Sequence, residues 1–537
     1  MSSMADARVN VGIAELYPIL QGSALAPGGA KEVGNKAWNL MRMARAGLPV
    51  PPAFVLPTAW CGRADAAAKL PEVLAQGVRL LEGATHDAFG GARRPLLVSV
   101  RSGAAVSMPG MMETVLDVGL NVDTVEALIR ETGNPRMSWD SYRRLVQGYA
   151  EVVGGLPTAP FDALVAAAVA TAEVEGEREL DHRDLRTLTR AMLASYRDLA
   201  REPFPADPGV QLLTATQAVL RSWDAEKAVS YRRLNGIDDA AGTAVTVQTM
   251  VFGNAGGASG AGVGFTRNPA TGARELYFDF QFDGQGEDVV GGRRNLTDHE
   301  RLRLALPAVW TRLNEICRTL ETLFGDAQDF EFTVQSGELF LLQTRRAKRT
   351  DWAALAIAVD MTAEGVLTSK GALAQIAGID LGSVVRTSFA LPTPPTLATA
   401  LVASLGVASG AMALDPAAVL RLAAAGKPAI LVRRETVTSD IVGMAQAVGI
   451  LTGSGGRTSH AAVVARQLGK VCLVACPRLE IDLERRQCRI GDTLLDEGDM
   501  LALDGNTGAV HAGTLAVVQE RPEAALATIA GWRSAAA

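Results

Sequence analysis

The run Gly455-Gly456-Arg457-Thr458-Ser459-His460-Ala461-Ala462 sets a histidine behind a glycine pair and two hydroxyl residues, where the apolar-periodic stretch SHAAVVARQLG begins. A helix starting there presents unsatisfied N–H groups and the positive end of its dipole, both of which attract phosphate. That positive end also disfavours imidazolium, so the His460 ring is kept neutral and nucleophilic. A lone histidine in a first helical turn usually only caps or packs; the flanking glycines and hydroxyls make this one a candidate phosphoryl carrier. His86, His182, His299 and His511 lack that context and read as surface or turn residues.

A second constellation runs from Asp329 to Arg345. Strand alternation places Phe330, Phe332, Val334, Phe340 and Leu342 on one face, and Asp329, Glu331, Thr333, Gln343 and Arg345 on the other. A turn centred on Gly337 sets Glu331 across from Gln343. Two oxygen ligands beside a cation suit Mg²⁺ and the phosphates bridged to it, although an ordinary hairpin with a polar outer face has the same pattern. Glycines at 256, 257, 260, 262 and 264 are followed by strand instead of helix, which argues against a dinucleotide site and for a glycine-rich hairpin loop. Lys36 and Arg101, taken alone, are cations in glycine-containing segments. Cys472 and Cys476 in VCLVAC read as buried thiols in a strand, and five scattered cysteines are too few for a disulfide framework.

These residues need elements to hold them. A chain of 537 residues exceeds one hydrophobic core, so two to four domains are expected. A net charge of −6 leaves no basic field for nucleic acid or an anionic membrane, while clusters such as Arg345-Arg346 and Lys348-Arg349 can still hold small anions. The amino terminus lacks a basic region followed by an apolar core, and no run reaches the roughly 18 apolar residues of a spanning helix, so a cytoplasmic location is expected.

Helical periodicity in KAWNLMRMARAG stops at Gly47, LPVPPAFVLP leads into a strand, and LLVSVRSG reads as a strand running into a loop. The alanine-rich stretch from about 140 to 235 is mostly helix, and 243–345 changes to short β-runs of a mixed sheet. Residues 351–378 return to helix, and SFALPTPPTLATA reads as a stiff linker. AVGILTGS, SHAAVVARQLG and KVCLVAC form a β-α-β unit. Two strands around Asn506-Thr507-Gly508 and a helical tail follow, with no internal repeat.

The motifs RSGAAVSMPGMMETVLDVGL, SYRRLVQGYAEVV, YRRLNGI, GTAVTVQTMVFGN, GVGFTRNPATG, GQGEDVVGG, QTRRAKRT and GGRTSHAAVVAR resemble the pyruvate, phosphate dikinase family, in order and at similar spacing, from about 30 to 513. The resemblance implies an α/β multidomain chain: an ATP-grasp nucleotide-binding domain over 1–350 with a helical insertion (about 120–235), a helical and proline-rich linker over 351–399, a swivelling β/β/α phosphohistidine domain over 400–513, and a helical tail over 514–537.

Carried over position by position, His460 is the carrier. Lys36 and Arg101 contact ATP phosphates, Gln248 and Met250 flank adenine, and Asp279 serves a ribose or phosphate contact. Asp329, Glu331, Gln343 and Arg345 serve the Mg²⁺-triphosphate, with Glu331 and Gln343 as metal ligands. Thr458 matches a threonine whose phosphorylation silences some family members, and reads equally as a helix cap. The implied chemistry uses ATP and inorganic phosphate and leaves phospho-His460.

The family's barrel for pyruvate and phosphoenolpyruvate has no counterpart here, so completing the reaction is expected to need a separate subunit. Asn35, Ala37 and Trp38 depart from the family's GGKGANL, Asp279 replaces a glutamate, and Arg457 replaces a methionine. A different small-molecule or protein acceptor is the alternative, and a non-catalytic nucleotide-sensing protein is the alternative of another class. A monomer with a hinge near 380–400 is expected.

Overall fold

The computed structural model describes residues 15–63, 65–106, 108, 112–286, 298–437, 440–456 and 459–536. It divides into two compact units, residues 1–257 with 339–345, and residues 258–338 with 346–537.

The first unit is built on strands β1 (Tyr17–Ile19) and β2 (Ala53–Leu56), a short parallel pair β3 (Ala88–Phe89) and β4 (Pro95–Leu96), and β5 (Val98–Gly103), β6 (Thr114–Val118) and β7 (Ala244–Thr249). Five of these form one sheet in the order β1-β2-β7-β5-β6. Phe54, Leu56, Val98, Val100, Val245 and Val247 from its central strands are fully buried, as strands covered on both faces require. GTAVTVQTM thus joins the amino-terminal sheet, not the later β-runs with which its composition grouped it.

Six helices lie between Val122 and Asn235. Asn121 caps the first by accepting from the N–H groups of Asp123 and Thr124, and Gly133 ends it in the left-handed conformation. Asn134 caps Pro135–Val152, which has proline at its start. Tyr149, Tyr196 and Phe204 meet edge-on inside the bundle, with centroids 5.1 and 5.3 Å from Phe204. Asp140 is buried beside Arg143, whose Nη2 donates to it at 2.7 Å, and Arg144, whose Nε donates at 3.0 Å. Burial pushes the Asp140 carboxyl up, but Arg144 and Arg143 outweigh it and hold it down at about 2.

In the second unit β8 (Gly260–Phe265) lies between β9 (Tyr277–Phe282) and β10 (Gln328–Gln335), antiparallel to both. This part of the expected mixed sheet is antiparallel. The expected glycine loop is also corrected: Gly260, Gly262 and Gly264 are strand residues. A Cβ on them would lie 2.2 Å from the Phe280 ring, 2.3 Å from Phe332 and 2.7 Å from Phe330. Alternate glycines therefore make a flat strand face on which aromatic rings lie, and Phe280 and Phe332 stack with centroids 5.8 Å apart. Trp310, from the helix Pro307–Phe324, closes that layer against Phe278.

Past β8, the fully buried Arg267 of the TRNP motif donates through Nε and Nη2 to the two Glu321 oxygens, each at 3.0 Å, and through Nη2 to Glu364 at 2.7 Å. Its role in the described structure is structural.

Strands β11 (Glu338–Arg346), β12 (Arg386–Phe389), β13 (Thr396–Thr399), β14 (Leu401–Ser404), β15 (Val407–Ala413), β16 (Ala429–Arg433), β17 (Gly449–Thr452) and β18 (Val471–Val474) come next. They are followed by β19 (Leu479–Asp482), β20 (Gln487–Ile490), β21 (Thr493–Asp496), β22 (Met500–Asp504), β23 (Ala509–Ala512) and β24 (Val517–Glu520). Eight form one sheet, β13-β23-β22-β15-β16-β17-β18-β14, with a parallel centre of β15 to β18.

Strand alternation decides what each face covers. Ile430, Val432, Leu451 and Leu473 pack with Cys488, Ile490 and Leu495 of the small sheet β19-β20-β21. Leu431, Ile450, Cys472 and Val474 pack with Val419, Met444, Ala462 and Ala465 of three helices.

The proline-rich segment is paired rather than a bare linker: β12 pairs with β24, and β13 with β23, on either side of the cis Leu391–Pro392 bond. The helical tail Glu523–Ala536 packs its buried Ile529 against Leu355, Ala358 and Ile376. Among the described residues no helix is long and apolar enough to cross a membrane.

Candidate functional site

In the first unit the backbone brings Lys36 and Arg101 into one neighbourhood. The helix Ala30–Arg45 leaves helical geometry at Gly34 (φ 73, ψ 158), and a Cβ there would lie 2.1 Å from the Gly103 carbonyl oxygen. Asn35 N–H donates to the Ala104 carbonyl at 2.9 Å. A Cβ on Gly103 would in turn lie 3.8 Å from Lys36 Cβ. The GNK and RSGA segments thus meet backbone to backbone, which only glycine allows at such a φ. Arg101 sits on β5 opposite Thr246 and Thr114.

The start of that helix is tied by Glu32, which accepts from Gly28 N–H at 2.8 Å and from the Tyr17 hydroxyl at 2.5 Å. Burial first, then Glu32, pushes the Tyr17 phenol up to about 12. Of the departures from the family pattern, Asn35 uses its backbone N–H, Ala37 is fully buried, and Trp38 is the surface against which Gly29 lies.

Gln248 lies on β7 between Ala53 and Ser99, buried, its amide donating to the Pro51 carbonyl at 3.3 Å. Met250 follows two residues on, with its N–H bonded to the Leu97 carbonyl and its side chain half-buried against the core. Sequence reasoning missed Asn39. It is buried in the same helix as Lys36 and donates from Nδ2 to the Thr344 carbonyl at 2.8 Å, tying that helix to the strand segment that carries Gln343 and Arg345. Its signal was a carboxamide inside the apolar run WNLM, where a polar group needs a partner.

In the second unit, Asp279 on β9 and Glu331 on β10 are each in register with Val263 on β8. Residues directly opposite in antiparallel strands share a face, so the two carboxylates stand on one face about 10 Å apart by strand spacing. Asp329 shares that face two residues away, in register with Phe265 and, beyond it, Tyr277. Gly260, Gly262 and Gly264, with Phe278, Phe280, Phe330 and Phe332, occupy the other face. Asp279 and Asp329 are buried and Glu331 is half-buried.

The hairpin itself needs a correction. Its turn is the pair Ser336-Gly337, both with positive φ, as two-residue hairpin turns demand. The condition for setting Glu331 opposite Gln343, a turn centred on Gly337, is therefore not met. The buried apolar residues of β11 are Leu339 and Leu341, while Phe340 and Leu342 are only half-buried. Gln343 is half-buried and Arg345 exposed.

On the eight-stranded sheet, β17 leads through the buried Gly455 and Gly456 to the helix His460–Gln467, of which His460 is the first residue. Ser459 caps it, its side chain accepting from Ala462 N–H at 3.4 Å. The cap belongs to Ser459, whereas Arg457 and Thr458 lie outside the described residues, as does the side chain of His460. Gly469, at φ 63, follows the helix end, and β18 returns parallel to β17.

Of the other histidines, His86 and His182 are exposed, but His511 is corrected: it is buried in β23, opposite Thr396 and Ala502. Burial raises the thiols of Cys472 and Cys476 to about 12 and about 11, which makes them inert packing groups.

Residues 63–302 match the family model of the pyruvate phosphate dikinase AMP/ATP-binding domain, and residues 425–508 that of the PEP-utilising enzyme mobile domain. Curated relatives include pyruvate, phosphate dikinase of Clostridium symbiosum, 40% identical over 93% of this chain and 58% of its own. The chloroplastic pyruvate, phosphate dikinase 1 of Oryza sativa subsp. japonica is 42% identical, over 93% of this chain and 54% of its own. The Rhizobium meliloti (strain 1021) pyruvate, phosphate dikinase is 39% identical over 96% of this chain and 60% of its own. The chain thus spans between 54 and 60% of the length of these relatives.

Proposed function

We propose, from the premise that this chain carries the ATP-binding and mobile domains of the pyruvate, phosphate dikinase family, that it performs the ATP-loading half of a dikinase reaction. A ring nitrogen of His460 attacks the β-phosphorus of ATP, and the bond from that phosphorus to the oxygen bridging to the α-phosphate breaks, releasing AMP. Inorganic phosphate then attacks the terminal phosphorus of the pyrophosphoryl group. Pyrophosphate departs, and phospho-His460 remains.

The chemistry depends on positioning and on neutralising phosphate charge. Lys36 and Arg101 serve the phosphates, and the approach of Gly34 to Gly103 supports placing them together. Gln248 and Met250 serve the adenine side. Asp279, Asp329 and Glu331 offer oxygen donors on one face, a chemistry that fits Mg²⁺; the family resemblance makes Glu331 and Gln343 its ligands and sets the Arg345 cation on the triphosphate. Among the described residues no three His, Cys, Asp or Glu side chains converge on a metal; Mg²⁺ asks for one or two carboxylates and completes its shell with water and phosphates. When bound, Mg²⁺ would neutralise the triphosphate oxygens.

Residues 1–350 form the nucleotide domain in this reading and 400–513 the carrier, which swivels about the 380–400 segment to deliver its phosphoryl group. The resemblance makes pyruvate the acceptor, presented by a barrel outside these 537 residues.

The observation that carries the reading is His460 as first residue of a helix capped by Ser459 and preceded by buried Gly455-Gly456. The test is labelling with ATP radioactive at the β-phosphorus, with Mg²⁺ and with or without phosphate, in wild type and His460→Ala. Acid-labile label and AMP release that both need His460 establish loading. An unlabelled wild type refutes it.

A further inference from the structure

The loop between β17 and His460 is held by a clamp whose members neither the motif nor the family resemblance singles out. Thr452, the last residue of β17 and 1% exposed, donates from Oγ1 to the Ser454 carbonyl at 2.7 Å. Its own carbonyl accepts from Cys476 N–H at 2.9 Å. Gly453 N–H donates to the Arg433 carbonyl at 3.0 Å. Ser454 gives both its N–H and its hydroxyl to the Arg434 carbonyl, each at 2.9 Å. The end of β16 thus runs on as a rail beneath the loop. Arg433 is itself anchored, with Nη1 on the Leu414 carbonyl at 3.2 Å and Nε 3.6 Å from the buried Asp440 carboxylate.

The clamp reaches the carrier helix through the residues next to it. A Cβ on Gly455 would lie 3.0 Å from both Cβ and Oγ of Ser459, so the loop rests directly on the capping residue. Ser459 N–H donates to the Gly456 carbonyl at 3.1 Å. Peptide 454–455, whose carbonyl accepts from Thr452 Oγ1, is thus joined by direct contact to Ser459, the residue before His460.

We infer that Thr452 is a positioning residue for phosphoryl loading, acting through the Ser454 carbonyl and Gly455-Gly456 on the placement of His460. The inference rests on the loading reading above. Positioned groups lose rate steeply when displaced, and the hydroxyl is the one part of Thr452 that makes this bond.

The experiment compares wild type, Thr452→Val and Thr452→Ser in full-length protein, measuring Mg²⁺-ATP-dependent labelling of His460 and the imidazole resonances of His460 by NMR. Thr452→Val keeps the shape and removes the donor. Its labelling rate is expected to fall about 10- to 100-fold, with an unchanged KM for ATP and a displaced His460 resonance; Thr452→Ser is expected to restore both. Wild-type labelling by Thr452→Val, or a loss that Thr452→Ser does not restore, overturns the assignment. If wild type itself takes no label, the loading reading fails, and the resonance alone decides whether Thr452 sets His460. Should Thr452→Val not fold, Ser454→Ala removes the hydroxyl bond to Arg434 from a half-buried site and is read by the same split of rate against KM; an unchanged rate there overturns the clamp.

Discussion

Gly34 and Gly103 approach so closely that a Cβ on the first would sit 2.1 Å from the carbonyl oxygen of the second. Gly34 also has φ 73, so an added side chain meets both strain and collision. Gly34→Ala is expected to cost roughly 2–4 kcal/mol from the two effects together. Denaturant unfolding reads that loss. ATP binding is expected to weaken with it, because Lys36 moves away from the Arg101–Gly103 segment; wild-type stability and binding in the variant would show the approach to be looser than described.

Glu331 and Asp279 flank Val263 on one sheet face, and Glu331 is half-buried, outside the aromatic layer. Glu331→Ala is expected to lower the His460 labelling rate about 100-fold and raise the Mg²⁺ concentration needed, with an unaltered melting temperature. A melting loss in step with the activity would assign Glu331 to the fold instead.

Gly262 faces the Phe332 ring at a distance that leaves no room for a methyl group. Gly262→Ala is expected to cost about 1–3 kcal/mol by overpacking. Phe332→Leu in the same chain should recover part of it, and a double-mutant cycle with no coupling would contradict the packing.

Asp140 is held at about 2 by Arg144 and Arg143 against its burial. Its folded value lies below the unfolded value of about 3.9, so its contribution is fully present above that value and is lost as pH falls towards 2. Asp140→Asn leaves the buried Arg143 short of its nearest carboxylate and is expected to cost about 3 kcal/mol at neutral pH. The difference between variant and wild type should shrink in unfolding curves taken between pH 4 and about 2; a constant difference would remove the ion pair from the account.

Sequence alone determined the features that depend on local order. Glycine and hydroxyl residues before SHAAVVARQLG mark a helix start at His460, the apolar run VCLVAC marks a buried strand, and Gly47 marks the end of the helix in KAWNLMRMARAG, because each signal is read within a few residues along the chain. Only tertiary structure decided that Gly260, Gly262 and Gly264 form a strand face for phenylalanine rings, that His511 is buried, and that the prolines near 392–395 separate two paired strands. The same holds for Asn39, whose acceptor Thr344 is distant in sequence, and for Ser454, whose hydroxyl donates to the carbonyl of Arg434 on the neighbouring strand end. Register, turn parity and partner choice are set by which surfaces meet across the fold, and a half-residue shift in the Ser336-Gly337 turn is enough to exchange the buried face of β11.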